Sequence, residues 1–253
     1  EKYGLTEALS AVPAYEQSSD QEVAFQAVDY ILRVLKKNMV FGMTWGRAMH
    51  EFVEQLAKDE RLRSLSFQNV KVVPFLGTPG AIQSDSWNTT TYSNTLATKV
   101  GNLLHCASYN LSAPMYVEGT KEKELIESID EIAKVLHMAE TADIALIGIG
   151  SMQDDSSIIK AEIRTKEEYK ELVRKGAVGE IVGRIYDKNG QTVDEDLKRK
   201  MVGISLDKIA KIPVRVGMSY GKDKIEAIKG AIAGGLVLSL IHISEPTRLQ
   251  LIS

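Results

Sequence analysis

Apolar positions along this chain recur alternately at helical and at strand spacing. Ser19-Asp20-Gln21-Glu22 fits a capping box, after which Val23, Ala27, Tyr30, Ile31 and Val34 repeat at helical intervals. Short apolar runs predict strands over Met39 to Met43, Val70 to Leu76, Asn110 to Met115, Asp143 to Ile149 and Val214 to Met218. The intervening spacing predicts helices over Arg47 to Lys58, Ser93 to Leu104, Lys121 to Glu140, Lys166 to Arg174 and Lys222 to Ala233. Thr165 and Glu168 form a second capping-box pattern. This alternation points to an α/β fold with a largely parallel sheet. One region breaks it: Gly176 to Asp187 is strand-like and runs into Lys188-Asn189-Gly190-Gln191, where the Asn-Gly pair favours a hairpin turn. A small antiparallel insertion on the parallel core is expected there. With no internal repeat or long linker, the pattern describes one domain.

The bulk properties narrow the class. A chain of 253 residues, 44% hydrophobic and 26% charged, has the make-up of a soluble globular protein with a full core. A net charge of −3 argues against this segment itself gripping nucleic acid, which calls for a basic surface. The one cysteine, Cys106, excludes an internal disulfide and reads as a buried small residue. No apolar run approaches the ~20 residues that span a bilayer, and no signal peptide opens the chain. A cytoplasmic setting without a membrane partner is expected.

Both ends depart from the pattern of an intact gene product. The chain opens at Glu1 without a methionine. Near the other end, Gly234-Gly235-Leu236-Val237 reads as the start of another strand, and then the composition changes. Leu238 to Arg248, L-S-L-I-H-I-S-E-P-T-R, resembles the conceptual translation of a transposase-type sequencing adapter, with Leu249 to Leu251 in the place of an index before Ile252-Ser253. The expected division is therefore a domain over residues 1–237 and a non-native tail over 238–253, His242 included.

In open parallel sheets, ligands gather where strands end and helices begin. Four such ends here are polar or rich in glycine. In V-F-G-M-T-W-G-R, Gly42 and Gly46 bracket Thr44 ahead of Arg47, the local chemistry of a phosphate-binding βα loop or of a plain strand-to-helix turn. Leu76-Gly77-Thr78-Pro79-Gly80 opens a polar loop of roughly fifteen residues, a length typical of binding loops and surface excursions. Gly148 and Gly150 close the most apolar strand. A dinucleotide fingerprint would want a further glycine where Gln153 stands, so a Rossmann cofactor is not expected. Glu180, in the glycine-rich G-A-V-G-E-I, suits either sugar hydroxyls or a structural salt bridge. Lys224 at a helix start offers a charge for phosphate, and Lys222 beside it could serve equally.

Reaction chemistry is sparse. His50, His105 and His137 fall in helix patterns away from loop glycines, and no His/Cys/Asp set has metal-ligand spacing. Asp154-Asp155 reads as a cap for the next turn. The chain thus presents a binding site without an evident acid–base set.

Taken in order, the loops resemble the effector-binding domain of SorC-type bacterial transcriptional regulators. The resemblance runs from Tyr3-Gly4-Leu5 to about Val237. It rests on G-M-T-W-G-R-A (Gly42 to Ala48), Y-S-N-T-L-A (Tyr92 to Ala97), S-A-P-M (Ser112 to Met115), A-D-I-A-L-I-G-I-G-S (Ala142 to Ser151), G-A-V-G-E-I-V-G-R-I-Y-D (Gly176 to Asp187) and S-Y-G-K-D-K-I-E-A-I (Ser219 to Ile228). It implies a Rossmann-like sheet with helices on both faces, related to sugar-phosphate isomerases and used to sense a phosphorylated sugar. Gly42, Thr44, Gly46 and Arg47 would form the first phosphate loop, and Gly77, Thr78, Gly80 and Asn94 the second wall. Glu180 would meet sugar hydroxyls and Lys224 a phosphate. Thr78-Pro79-Gly80 departs from a common glycine-rich stretch, Glu180 from a frequent aspartate and Tyr220 from a frequent glycine. The family also implies a dimer or tetramer, and operator binding through an N-terminal helix-turn-helix outside this chain. The rival reading is a sugar-phosphate isomerase or amino-sugar-phosphate deaminase of related fold, with Glu180 or Asp154 as base and Lys224 as electrophile.

Overall fold

The computed structural model describes residues 5–10, 19–79 and 89–243. Its elements are, in chain order, β1 (Glu7–Ser10), α1 (Ser19–Val34), β2 (Val40–Met43), α2 (Arg47–Leu56), β3 (Lys71–Pro74), α3 (Ser93–Leu103), β4 (Ala107–Ser108), α4 (Thr120–Glu127), α5 (Asp130–Glu140), β5 (Ile144–Gly148), β6 (Gly150–Ser151), α6 (Ser157–Lys160), α7 (Lys166–Arg174), β7 (Ala177–Ile181), β8 (Arg184–Asp187), α8 (Glu195–Lys200), α9 (Leu206–Ile209), β9 (Val214–Tyr220), α10 (Ile225–Ala233) and β10 (Ser239–Ile243). Seven strands form a parallel sheet in the order β1-β10-β9-β5-β2-β3-β4, and β6-β7-β8 form a small antiparallel sheet beside it.

The strands β2 and β5 are apolar throughout because both faces are covered. Successive residues serve opposite cores. Phe41, Met43, Ile144, Leu146, Val216 and Met218 pack with α1, α2 and α3. Ala145, Ile147, Val73 and Phe75 pack with α5, α10 and the antiparallel sheet.

The order of the strands decides where a ligand can enter. From β2 the chain steps outward to β3 and β4. It then returns to the other side of β2 with β5 and continues through β9 to β10. The connections leaving β2 and β5 therefore diverge, and a crevice opens above their carboxyl ends.

Several expectations change in detail. The helix expected over Lys121 to Glu140 is two, α4 and α5. Ser128 ends the first by donating its hydroxyl to Leu125 O at 2.7 Å, and Ile129 is extended. Asn110 to Met115 is not a strand, and β4 lies earlier. The Asn94 side chain bonds both the amide (2.9 Å) and the carbonyl (3.0 Å) of Leu111, and backbone pairing of the segment with the β3 end is an isolated bridge between Thr78 and Pro114. The antiparallel insertion is present, but its hairpin turns at Val182-Gly183, with φ of 54° and 68°, and not at Asn189-Gly190. The latter pair makes a second reversal, bringing Thr192 to bridge Tyr186. The Thr165–Glu168 capping box forms as expected, whereas the side chain of Ser19 lies outside the described residues. Ser239–Ile243, in the stretch expected to be foreign, fills the strand slot between β9 and β1. Ser239 and Ile241 are buried in it, and the Ser239 hydroxyl meets Tyr30 Oη at 3.0 Å. The slot asks for backbone pairing and alternate buried positions, which this stretch supplies.

Gly42 offers the sharpest test of the packing. A Cβ at this position would lie 2.0 Å from Phe75 Cε1. We expect Gly42→Ala to lose about 1–3 kcal/mol of stability in urea unfolding, the range for overpacking a filled core. Combined with Phe75→Leu, the loss should fall short of the sum of the two single losses.

Candidate functional site

The crevice between the β2 and β5 connections is a lined cleft. Trp45, Gly46, Arg47 and Ala48 follow β2, while Gly148, Ile149, Gly150 and Ser151 follow β5. Asp155, Ser156 and Ser157, then Glu180, then Met218, Ser219 and Tyr220, and finally Lys224 complete it.

The first wall is the start of α2. Gly46 stands at its N-cap with φ of 103°, a conformation that favours glycine, and as glycine it has no side chain to cap the helix. The first-turn amides and the positive end of the helix are thus directed to the cleft. Arg47 begins the helix and reaches across to Asp155 Oδ2 at 2.9 Å, both side chains more than half exposed. Asp155 is therefore the partner of Arg47, not a helix cap; Ser156 caps α6, accepting from the Ile158 amide.

Glu180, on β7, is buried. Its Oε1 accepts the Gly183 amide, and the Trp45 indole donates to the same carboxylate. Its Oε2 lies where a Cβ on Gly150 would stand 2.7 Å away, so only glycine lets β6 pair this closely with β7. Burial raises the Glu180 pKa above the ordinary carboxylate value. The hydrogen bonds from Gly183 and Trp45 and the charges of Lys224 and Arg184 oppose that rise without cancelling it.

Lys224 lies just beyond β9, preceding α10. Its Nζ donates to Ser151 Oγ at 2.7 Å and is 3.2 Å from Asp223 Oδ2, and Ser151 Oγ donates in turn to Asp223 at 2.8 Å. Burial pushes the Asp223 carboxyl up, yet the bonds from Ser151 and Lys224 hold it below the ordinary value. Lys222 is exposed and does not line the cleft. Ser219, at the end of β9, is buried, and its hydroxyl has no hydrogen-bond partner among the described residues.

Of the residues singled out from sequence, the cleft brings together Gly46, Arg47, Gly148, Gly150, Glu180 and Lys224. Thr44 sits directly beneath, buried, its Oγ1 accepting the Gly148 amide at 3.0 Å. Gly42 lies within the sheet against the Phe75 ring and away from the cleft, where it makes room for packing instead of an anion. Gly77 packs on the Ala113 and Pro114 backbone. Asn94 donates to Thr78 Oγ1 at 2.8 Å and, with its bonds to Leu111, has every polar atom engaged. Gly77, Thr78 and Asn94 thus knit the β3 end to the 111–115 segment and do not line the cleft. Gly80 lies outside the described residues. The histidines stay out of the cleft, and His105 lies past the end of α3 with φ of 51° rather than within it. Sequence reasoning passed over Trp45, Ser151, Asp155 and Asp223 as site residues. Trp45 and Ser151 are flanked by the glycines that were noted, the signal available for them.

Comparison with known proteins bears on the family and the fold. The chain belongs to the family described as "Putative sugar-binding domain", whose model matches residues 1–253. It is 27% identical over 255 residues to the sorbitol operon regulator of Klebsiella pneumoniae, covering 99% of this chain and 78% of that one. To the deoxyribonucleoside regulator of Bacillus subtilis it is 24% identical over 237 residues, covering 92% and 72%. Among solved structures, the full-length sorbitol operon regulator SorC from Klebsiella pneumoniae superposes with a TM-score of 0.83 at 25% identity, over 96% of this chain and 75% of that one. A DeoR family transcriptional regulator from Listeria monocytogenes shares the fold, with a TM-score of 0.80 at 23% identity over 96% and 92%. The Rossmann-like architecture and the sugar-binding regulator class are thereby shown. Among the described residues no helix is long and apolar enough to cross a membrane.

The buried carboxylate gives a pH signature. Glu180 has its ordinary value of 4.5 in the unfolded chain and a raised one in the native state. Between these two values the native state binds the extra proton, so its contribution to stability is complete below 4.5 and declines as pH rises through the native value. In urea unfolding across acid to neutral pH, Glu180→Gln should gain on the parent as pH rises. A stability of Glu180→Gln relative to the parent that stays constant, or that falls, as pH rises would contradict the assignment.

Proposed function

We propose that this domain is a non-catalytic sensor of a phosphorylated sugar, bound in the β2/β5 crevice with its phosphate at the start of α2. One observation carries the reading: a helix start with glycine at its N-cap, Arg47, Lys224 and the buried acceptor Glu180 line a single cleft at the sheet's switch point. The amides and Arg47 suit phosphate oxygens. A fixed carboxylate suits sugar hydroxyls, which donate to it. Gly148, Gly150 and the Thr44 tie shape the floor, and Gly77, Thr78 and Asn94 brace the β3 end beside it. The names of the relatives, regulators of sorbitol and deoxyribonucleoside systems, support a carbohydrate-derived effector.

Binding changes the packing between copies of the chain, a dimer or tetramer in the cytoplasm. An N-terminal helix-turn-helix of the full-length protein thereby gains or loses affinity for operator DNA. Such coupling requires the effector to bind two quaternary states with different affinity.

Isothermal calorimetry against pentose and hexose phosphates tests the reading. At least one should bind, and its unphosphorylated parent should bind far more weakly. Arg47→Ala and Lys224→Met should each weaken binding by about 10- to 100-fold, the worth of a charged hydrogen bond. Silence across the panel would defeat the proposal. Glu180 is also buried with a raised pKa, the property a general base needs, so the same sugars belong in a coupled isomerase and deaminase assay. Turnover there would favour the enzyme reading.

A further inference from the structure

We propose that Ser219 is a specificity-determining residue of the effector site, hydrogen-bonding a hydroxyl on the sugar carbon that lies over the end of β9. The inference rests on the phosphorylated-sugar reading and names which part of such a ligand the cleft examines.

Three observations meet at this position. Ser219 is 2% exposed, and its Oγ is buried with no hydrogen-bond partner among the described residues. It lines the cleft between Met218 and Tyr220. The alternation along β9 sends Val216 and Met218 to the α1–α2 core. Ser219 therefore shares the opposite face with Gly217, whose Cβ position is bounded by Ile149 and Val237. That is the face on which the antiparallel sheet, and with it Glu180, is packed.

A buried hydroxyl left unpaired is unfavourable, and an alanine at the same place would carry no such cost. Other polar groups of the cleft have partners within the protein: Ser151 holds Asp223, Ser156 caps α6, and Glu180 holds the Gly183 turn. The Ser219 hydroxyl, though buried, has no such partner among the described residues. Its hydroxyl can both donate and accept, so a sugar hydroxyl above it could bridge to it and give its own proton to an acceptor such as Glu180. The ligand class is accordingly a sugar phosphate that retains an oxygen at this carbon. A deoxy analogue at that carbon would leave Ser219 as it stands in the free protein.

Two measurements on Ser219→Ala decide the matter, with Ser219→Cys as an isosteric control. In the absence of ligand, thermal unfolding should show Ser219→Ala at least as stable as the parent. A clear fall in its midpoint would mean that the hydroxyl has a structural partner and would overturn the proposal whatever the effector. The second is calorimetry with ribose 5-phosphate, glucose 6-phosphate and their singly deoxygenated analogues. The parent protein should prefer a fully hydroxylated sugar over one of its deoxy analogues by about tenfold, and Ser219→Ala should abolish that preference while still binding both. If Ser219→Ala keeps the whole preference, the assignment fails and the sensor reading stands. If no phosphorylated sugar binds the parent, the sensor reading fails and this inference with it.

Discussion

One hydrogen bond joins the two loops that the fold drives apart. Where the connections of β2 and β5 diverge, the Thr44 hydroxyl accepts the Gly148 amide at 3.0 Å, and the Thr44 amide reaches Leu146 O at 3.2 Å. Both bonds continue the sheet one step past the strand ends. Thr44 is buried, so losing its hydroxyl would strand an amide, at about 1–3 kcal/mol. The start of α2 and the Gly148–Ser151 wall keep their spacing through this tie. The cleft is therefore rigid where its backbone amides point and adjustable where its long side chains reach.

That division governs the charges. Neither cation lining the cleft is unopposed. Arg47 meets Asp155 at the surface, and Lys224 meets Asp223 in a more sheltered corner. An exposed pair such as Arg47–Asp155 contributes about 0–1 kcal/mol, so exchanging Asp155 for a doubly charged phosphate sacrifices little. The Lys224–Ser151–Asp223 ring is held by two hydrogen bonds and an ion pair, and Lys224 is mostly covered. Arg47 is thus the exchangeable arm and Lys224 the standing charge. On the proposed reading an anion would be drawn to the side of α2, leaving the interior beyond it to Glu180, whose acceptor character suits hydroxyl donors.

The sequence made the strand-and-helix alternation legible because each central strand is buried on both faces and each long helix carries one apolar stripe. The α4–α5 break was not legible, since it turns on a serine hydroxyl competing for a backbone carbonyl. The segment from Asn110 to Met115 has strand-like composition, yet Asn94, remote in sequence, takes the backbone hydrogen bonds of Leu111. Glycine content flagged the right loops without separating glycines that face a ligand from those that face a ring. Gly42 and Gly46 are alike on paper. One is pressed on Phe75 and the other carries a positive φ with open space around it. Asp155 and Asp223 were hidden for a related reason: their roles depend on partners brought across the crevice by the fold.

The hairpin turn shows how the carboxylate of the cleft is bound up with the insertion. Val182 is β-branched and has φ of 54°, a conformation that costs on the order of 1–3 kcal/mol. Burial of Val182, Ile181 and Ile185 in the core offsets this. The Gly183 amide, which the turn directs inward, finds its acceptor in Glu180 Oε1. Glu180 therefore has two duties, closing a strained turn with one oxygen and lining the cleft. Its side chain cannot swing toward a ligand without releasing that amide, and the turn cannot relax without freeing the carboxylate. Because Gly183 packs on Met201, and Met201 bridges Tyr116, a displacement at Glu180 has a direct packed route to the β3 edge of the domain.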